Sequence, residues 1–278
     1  MLHDAHNHLH DAWLAPHLAT IAADLERLPV AGAVVNGTCE TDWPEVTALA
    51  AAHAWVRPSY GLHPWDVGNA TPAWRAALVR TLDANPRGAV GEIGLDRWIL
   101  ERARPDDPRL AGLRRAPLAE QTEAFVWQLS LAAERNLPAT LHCLEAWGAL
   151  METLRATPRP ARGFLLHAYG GPAEMVAEFA ALGAYFSFNG GFLAARHAAK
   201  RAVFAAIPGD RLLVETDAPA MALPADLETH TLPALADGTR VNHPGNLAAA
   251  YVGLAAIRRV PLAELTAQVA RNFARLFG

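Results

Sequence analysis

Lysine is nearly absent from this 278-residue sequence: Lys200 is the only one among 24 Lys and Arg residues. Cysteine is almost as scarce. Cys39 and Cys143 are the only two, which excludes a disulfide framework and fits a reducing compartment. No apolar run approaches the roughly 18 residues that a membrane-spanning helix needs. The opening Met1-Leu2-His3-Asp4-Ala5-His6 lacks the basic start and apolar stretch of a secretory signal. A surplus of positive charge is missing as well. The formal net charge is −4, so no broad basic surface is available for nucleic acid, and a polymer substrate would have to be held locally. These absences predict a soluble, cytoplasmic protein, expected to be a monomer with no membrane partner.

What is present suits one large core. The chain is 52% hydrophobic and 19% charged, and barrels of about 250 residues commonly fold as one domain. Strand-like apolar segments recur at Leu2–His6, Ala33–Thr38, Trp55–Gly61, Ala89–Leu95, Pro138–His142, Gly163–His167, Ala184–Phe188 and Arg211–Asp217. Between them lie stretches with helical periodicity, such as Leu118–Arg135 and Ala173–Leu182, and a last helix is expected over Leu262–Leu276. Eight strands alternating with helices predict an α/β fold, a (β/α)8 TIM-type barrel spanning residues 1–278 as a single domain. Two polar segments, 97–117 and 219–246, interrupt the alternation and are expected to be loops on the C-terminal rim, where barrel active sites sit.

Chemistry-bearing residues fall where the strands end. The first strand closes on Asp4-Ala5-His6-Asn7-His8, and alternate residues of an extended chain share a face, so His6 and His8 can address one centre. The fourth carries Glu92, the fifth ends in His142, the sixth in His167 and the eighth in Glu215-Thr216-Asp217. One histidine at a strand end is usually a hydrogen-bonded structural residue. Five strand ends donating metal-type side chains to one barrel mouth require a common reason. Mixed nitrogen and oxygen donors suit Zn²⁺, Mn²⁺, Fe²⁺ or Co²⁺ better than Ca²⁺. Six protein donors exceed the need of one catalytic ion, which keeps a position open for water, so two divalent ions sharing a carboxylate are expected.

His63, in Gly61-Leu62-His63-Pro64-Trp65, follows the third strand and faces the same mouth, which suggests a substrate or phosphate contact. Trp65 and Trp98 are the rim aromatics able to stack on bases. Cys143, next to His142, points to the opposite face and is expected to be a buried, inert thiol. His3, His10, His17, His53, His197 and His230 are expected to serve surface or packing roles.

These motifs resemble the TatD-like metal-dependent hydrolases, a branch of the amidohydrolase superfamily. The resemblance rests on Asp4–Leu9, Gly61–Pro64, Gly91-Glu92-Ile93-Gly94-Leu95-Asp96, Leu137–His142, Leu166-His167, Glu215-Thr216-Asp217-Ala218-Pro219 and the ending Asn272–Gly278, in matching order along the chain. It implies a barrel deoxyribonuclease that trims single strands from the 3′ end. By position it makes His6, His8, Glu92 and Asp217 ligands of one ion and Glu92, His142 and His167 ligands of a second (Zn²⁺, Mn²⁺ or Mg²⁺), with Glu92 bridging. Superfamily relatives often bridge with a carboxylated lysine on a strand. Lys200 lies in a helix-like stretch, Ala198–Ala206, so Glu92 supplies the bridge instead, and Schiff-base chemistry on a strand-borne lysine is disfavoured. The chain departs from the resemblance at Leu144, Trp65 and His243, where the family usually carries Arg, His and Glu. That implies an altered rim, with Arg97, Arg102 or Arg104 as candidates to restore positive charge.

The expected chemistry is hydrolysis by activated water, with Asp217 and Glu92 as the catalytic carboxylates and Asp217 taking the water's proton. DNA ends are the first expected substrate. A small ester, lactone, amide or phosphoester on the same site is the second, and a non-catalytic metal-binding scaffold is the third reading.

Overall fold

A computed structural model describes all residues from Met1 to Gly278. Eight parallel strands follow one another in chain order: β1 Leu2–Asn7, β2 Val30–Asn36, β3 Val56–Tyr60, β4 Ala89–Asp96, β5 Ala139–Leu144, β6 Phe164–Leu166, β7 Ala184–Asn189 and β8 Leu212–Glu215. The ring closes between its first and last members. The Asp217 N–H donates to the His6 carbonyl at 2.9 Å and the His8 N–H to the Ala218 carbonyl at 2.8 Å. Asp4 reinforces the seam, accepting from the Thr216 amide at 3.0 Å and the Thr216 hydroxyl at 2.6 Å. Burial is the main influence on that carboxyl and pushes it up to about 6, against the four hydrogen bonds that pull it down.

The strands are buried on both faces, as parallel strands under crossover helices must be, which is why they read as apolar runs. Ten helices wrap the ring: α1 Leu18–Arg27, α2 Trp43–Ala52, α3 Trp74–Ala84, α4 Trp98–Glu101, α5 Leu118–Arg135, α6 Trp147–Ala156, α7 Val176–Ala181, α8 Ala198–Ala206, α9 Leu247–Arg258 and α10 Leu262–Phe277. In α10 the buried set Leu265, Val269, Asn272, Phe273, Leu276 and Phe277 forms one stripe at helical spacing. Asn272 turns its buried polarity to use, donating to the Gly209 and Leu212 carbonyls at 2.8 Å each, where β8 begins. One cluster of 61 buried apolar residues runs through strands and helices together, so the whole chain shares one main core.

The rim segment 97–117 is more structured than a loop. It contains α4 and a short 3₁₀ turn at Pro108–Leu110 over a small apolar cluster of Ile99, Ala103 and Leu110. Arg115 pins it from inside, donating to the carbonyls of Ile99, Ala103 and Arg104. No helix is long and apolar enough to cross a membrane.

Candidate metal centre

Glu92 sits near the middle of β4, buried at 3% exposure, and its two oxygens face different partners. Oε2 lies 3.4 Å from His6 Nε2 and 3.3 Å from His8 Nε2. Oε1 lies 2.9 Å from His142 Nδ1, 2.9 Å from His167 Nε2 and 3.4 Å from His63 Nε2. Asp217 Oδ1 joins the first set, 3.4 Å from His6 Nε2 and 3.6 Å from His8 Nε2, and those two nitrogens are 3.2 Å apart. In the second set His142 Nδ1 and His167 Nε2 are 3.2 Å apart. The structure therefore brings together all six residues expected from the strand ends, and His63 with them.

The spacing fits small divalent ions. His6 Nε2, His8 Nε2 and Asp217 Oδ1 lie 3.2–3.6 Å from one another and Glu92 Oε2 lies 3.3–3.4 Å from the two nitrogens, separations compatible with bonds of about 2.0–2.2 Å from imidazole nitrogen and carboxylate oxygen to a zinc-sized ion. Ca²⁺ wants six to eight oxygens at about 2.3–2.6 Å and fits neither set.

Hydrogen bonds behind the rings decide which nitrogen is free. A carbonyl can only accept, so the Asn36 oxygen 2.8 Å from His8 Nδ1 takes that proton and leaves Nε2 facing Glu92. His142 is turned the other way: Nε2 donates to Asp96 Oδ2 at 3.1 Å and Nδ1 faces inward. Carboxylates behind metal-binding imidazoles orient the ring and raise its basicity. Asp96 is itself fully buried, accepting from the Trp65 indole N–H at 2.6 Å and the Ile99 amide at 2.9 Å. Behind His167, Glu215 Oε1 lies 3.7 Å from Nδ1 and is held by Ser187 and Asn189.

His63 differs from the other four rings. Its Nδ1 accepts the Trp65 amide N–H at 3.2 Å, so in the neutral ring Nε2 carries the proton. That atom is a donor toward the cluster, with no lone pair for an ion. Burial lowers the His63 pKa more strongly than Glu92 raises it, which favours the neutral ring.

Close packing of opposite charge shifts the remaining groups. Burial alone would raise Glu92, but His167, His63, His6 and His142 around it hold it well below the carboxylate range. Asp217 is likewise lowered by its bond to His6 against the effect of burial. Burial works against protonated His8 and His142, yet Glu92, with Asp217 for the first and Asp96 for the second, takes both up to about 9. An ion needs the deprotonated ring, so binding displaces protons throughout the range below pH 9. Apparent Mn²⁺ affinity should therefore rise by about tenfold per pH unit for each displaced proton between pH 7 and 8.5. Titration calorimetry in that range checks this, and affinity independent of pH would contradict it.

Backbone conformation serves the same cluster. Asp217 adopts φ +52° just past β8, the left-handed region that Asp and Asn tolerate better than most residues. Gly94 has φ +147°, and a Cβ there would lie 2.0 Å from the His142 carbonyl oxygen, so only glycine lets β4 approach β5 beside that ring.

Other expected residues sit further out. Trp65 is half-buried, its indole N–H used by Asp96 and its ring stacked on Trp98 at 6.1 Å. Arg97 begins α4 and turns to Glu101 at 3.8 Å. Arg102 faces Glu145 at 3.4 Å and Arg104 faces Asp106 at 2.8 Å, so the candidate replacement charges are paired with acids. His243, expected to alter the rim, is instead buried, stacked on His230 at 5.0 Å with Nε2 3.5 Å from Asp24 of α1. Cys143 is buried, as expected, and burial pushes its thiol well above the ordinary range. Gln121 and Gln128, seven residues apart on α5, are fully buried and support the site beyond the residues expected from the strand ends. Gln121 clamps the Asp96 backbone, and Gln128 clamps Leu62 beside His63. Two amides recurring on an otherwise apolar helix face were the available signal.

A (β/α)8 barrel with a buried histidine–carboxylate cluster at the C-terminal mouth has the architecture of the metal-dependent hydrolases. Residues 3–278 match the family described as TatD related DNase, and the chain belongs to it. It is 32% identical over 251 residues to the 3'-5' ssDNA/RNA exonuclease TatD of Klebsiella pneumoniae, covering 90% of this chain and 87% of that one. Its Escherichia coli K12 counterpart of the same name is 30% identical over 251 residues, with 90% and 88% covered. Among solved structures, the TatD homologue YJJV of Escherichia coli superimposes with a TM-score of 0.82 at 27% identity, covering 99% of this chain and 97% of that one. A TatD family hydrolase of Entamoeba histolytica shares the fold, with a TM-score of 0.80 at 17% identity and the same 99% and 97% covered.

Proposed function

We propose that this chain is a two-ion phosphodiesterase that shortens single-stranded DNA from its 3′ end. The observation that carries the reading is the division of Glu92, one oxygen toward His6, His8 and Asp217 and the other toward His142 and His167. Its relatives' names supply the substrate class. We assign His6, His8, Glu92 and Asp217 to one ion and Glu92, His142 and His167 to the other, with Zn²⁺ or Mn²⁺ suiting the mixed donors better than Mg²⁺.

Ions held by these residues would supply Lewis-acid polarisation of phosphoryl oxygens and a competent water nucleophile near neutral pH. The side chains supply the rest. Asp217 remains ionised, aligns the attacking water and receives its proton. His63, neutral and fixed by the Trp65 amide, offers its Nε2–H to a phosphoryl oxygen as charge builds there. Asp96 and the Asn36 carbonyl keep His142 and His8 turned inward. The free thiols of Cys39 and Cys143 fit a cytoplasmic location.

One observation favours a second substrate class. Acids partner the rim guanidiniums of Arg97, Arg102, Arg104, Arg109 and Arg114, which weakens their hold on a polyanion and suits a small phosphoester or ester. A 5′-labelled single-stranded oligodeoxynucleotide separates the two. With Mn²⁺ or Zn²⁺, stepwise loss of 3′ nucleotides is expected. Intact strands beside rapid hydrolysis of bis(p-nitrophenyl) phosphate would transfer the assignment to small substrates.

A further inference from the structure

Between the two rim segments lies a cavity of about 530 Å³, lined by Trp13 after β1, by Arg104, Asp107, Pro108 and Arg109 after β4, and by the turn 235–239 after β8. All three segments leave the C-terminal face, and the volume falls within the range of about 300–1,000 Å³ common to small-ligand sites. We propose that this cavity is a nucleobase pocket that takes one base of the strand while the neighbouring phosphodiester lies at the metal centre. The proposal rests on the phosphodiesterase reading above.

A chain of side-chain contacts links the cavity to the centre. The Arg109 guanidinium lies 5.0 Å from the Trp98 ring centroid and 5.7 Å from that of Trp65. Trp65 in turn bonds Asp96, which holds His142. Arg109 therefore stands three side-chain contacts from a cluster ring: one face is taken by the tryptophans, and its edge is fixed on Asp107 by bonds of 3.0 and 2.7 Å.

The lining favours a flat uncharged ring over a phosphate. Arg104 is spent on Asp106 and Arg109 on Asp107, while Asp107 and Asp237 themselves line the space. That balance gives little attraction for an anion. Trp13, Pro108 and Leu235 offer apolar surface, and the two carboxylates can accept from exocyclic amines. Trp65 and Trp98 are stacked on each other, which leaves Trp13 as the indole available to a base. Seating a base in such a pocket requires it to leave its neighbours' stack, which a single strand allows at low cost and a duplex opposes.

The test uses the metal-loaded protein and oligodeoxynucleotides in which one residue near the 3′ end, at each position in turn, carries no base. Stacking of a base on an aromatic side chain changes affinity by roughly tenfold or more. The expected result is a KM raised about tenfold by removing the base at one position, and much less at the others. Ala236→Trp, on an exposed turn, fills the cavity without disturbing the core. It should raise KM for the intact strand by a similar factor and abolish the further effect of the missing base. Cleavage with equal KM for every strand would overturn the pocket and leave the nuclease reading standing. Cleavage of none of them would refute that reading and the pocket with it.

Discussion

Glu92→Gln should lower turnover by more than about 100-fold, beyond the 10–100-fold typical of losing a residue one layer behind a metal ligand. Glutamine keeps the volume and removes the charge that both donor sets share. Its amide nitrogen would face either the His6–His8 pair or the His142–His167 pair, each within 3.4 Å of a Glu92 oxygen. Ion content should fall in step with activity, which elemental analysis of the purified variant measures. Full ion content with full activity would remove Glu92 from the bridge.

The same substitution has a stability signature in the metal-free protein. His8 and His142 carry raised folded-state values of about 9, above the ordinary histidine value near 6.5. Their charged contacts with Glu92 therefore stabilise the fold fully below pH 6.5, and that contribution is lost as pH rises through 9. Thermal melts in chelator should show wild-type stability declining over this interval through these groups. Without the Glu92 charge, the two values drop toward that of the unfolded chain and the decline flattens.

Asp217→Asn is the second large effect, a loss of about 10²–10⁴ in kcat, the range for removing a positioned proton acceptor. Asparagine tolerates the left-handed backbone at this position as aspartate does, and its amide oxygen can still face His6 and His8. Ion content should therefore change far less than turnover. A variant that retains full turnover would exclude Asp217 as the proton acceptor, and one that loses its ions would make it a ligand first.

The convergence of these histidines and carboxylates was legible because barrel topology converts sequence order into spatial proximity. Once His8, His142, His167 and Asp217 are placed at strand ends and Glu92 within β4, one mouth gathers them. Strand limits were less legible, since pairing sets them. β5 runs on through Cys143 and Leu144 because β4 extends to Asp96 opposite, and β6 stops at Leu166, three residues long. Helices α5 and α8 matched their expected ranges because their periodicity is local.

Contacts across the barrel left no such trace. That His63 would be a cluster donor depends on Trp65 turning its amide back to Nδ1. That Trp65 would brace Asp96 depends on β4 ending beneath its indole. His243 looked like a rim residue from its place in a polar segment, but the segment folds back on α1 and buries it. Arg97 and Arg104 find acids within four residues, Glu101 and Asp106, so part of the rim pairing was local and could have been read from the sequence. Arg102 meets Glu145, 43 residues away, across two loops.

The account turns on two ions sharing Glu92, and anomalous scattering from Mn²⁺- or Zn²⁺-soaked crystals tests it most directly. Two peaks are expected, one among His6, His8 and Asp217 and one beside His142 and His167, with a Glu92 oxygen at each. A single peak, or two that leave Glu92 outside the coordination of either, would contradict it.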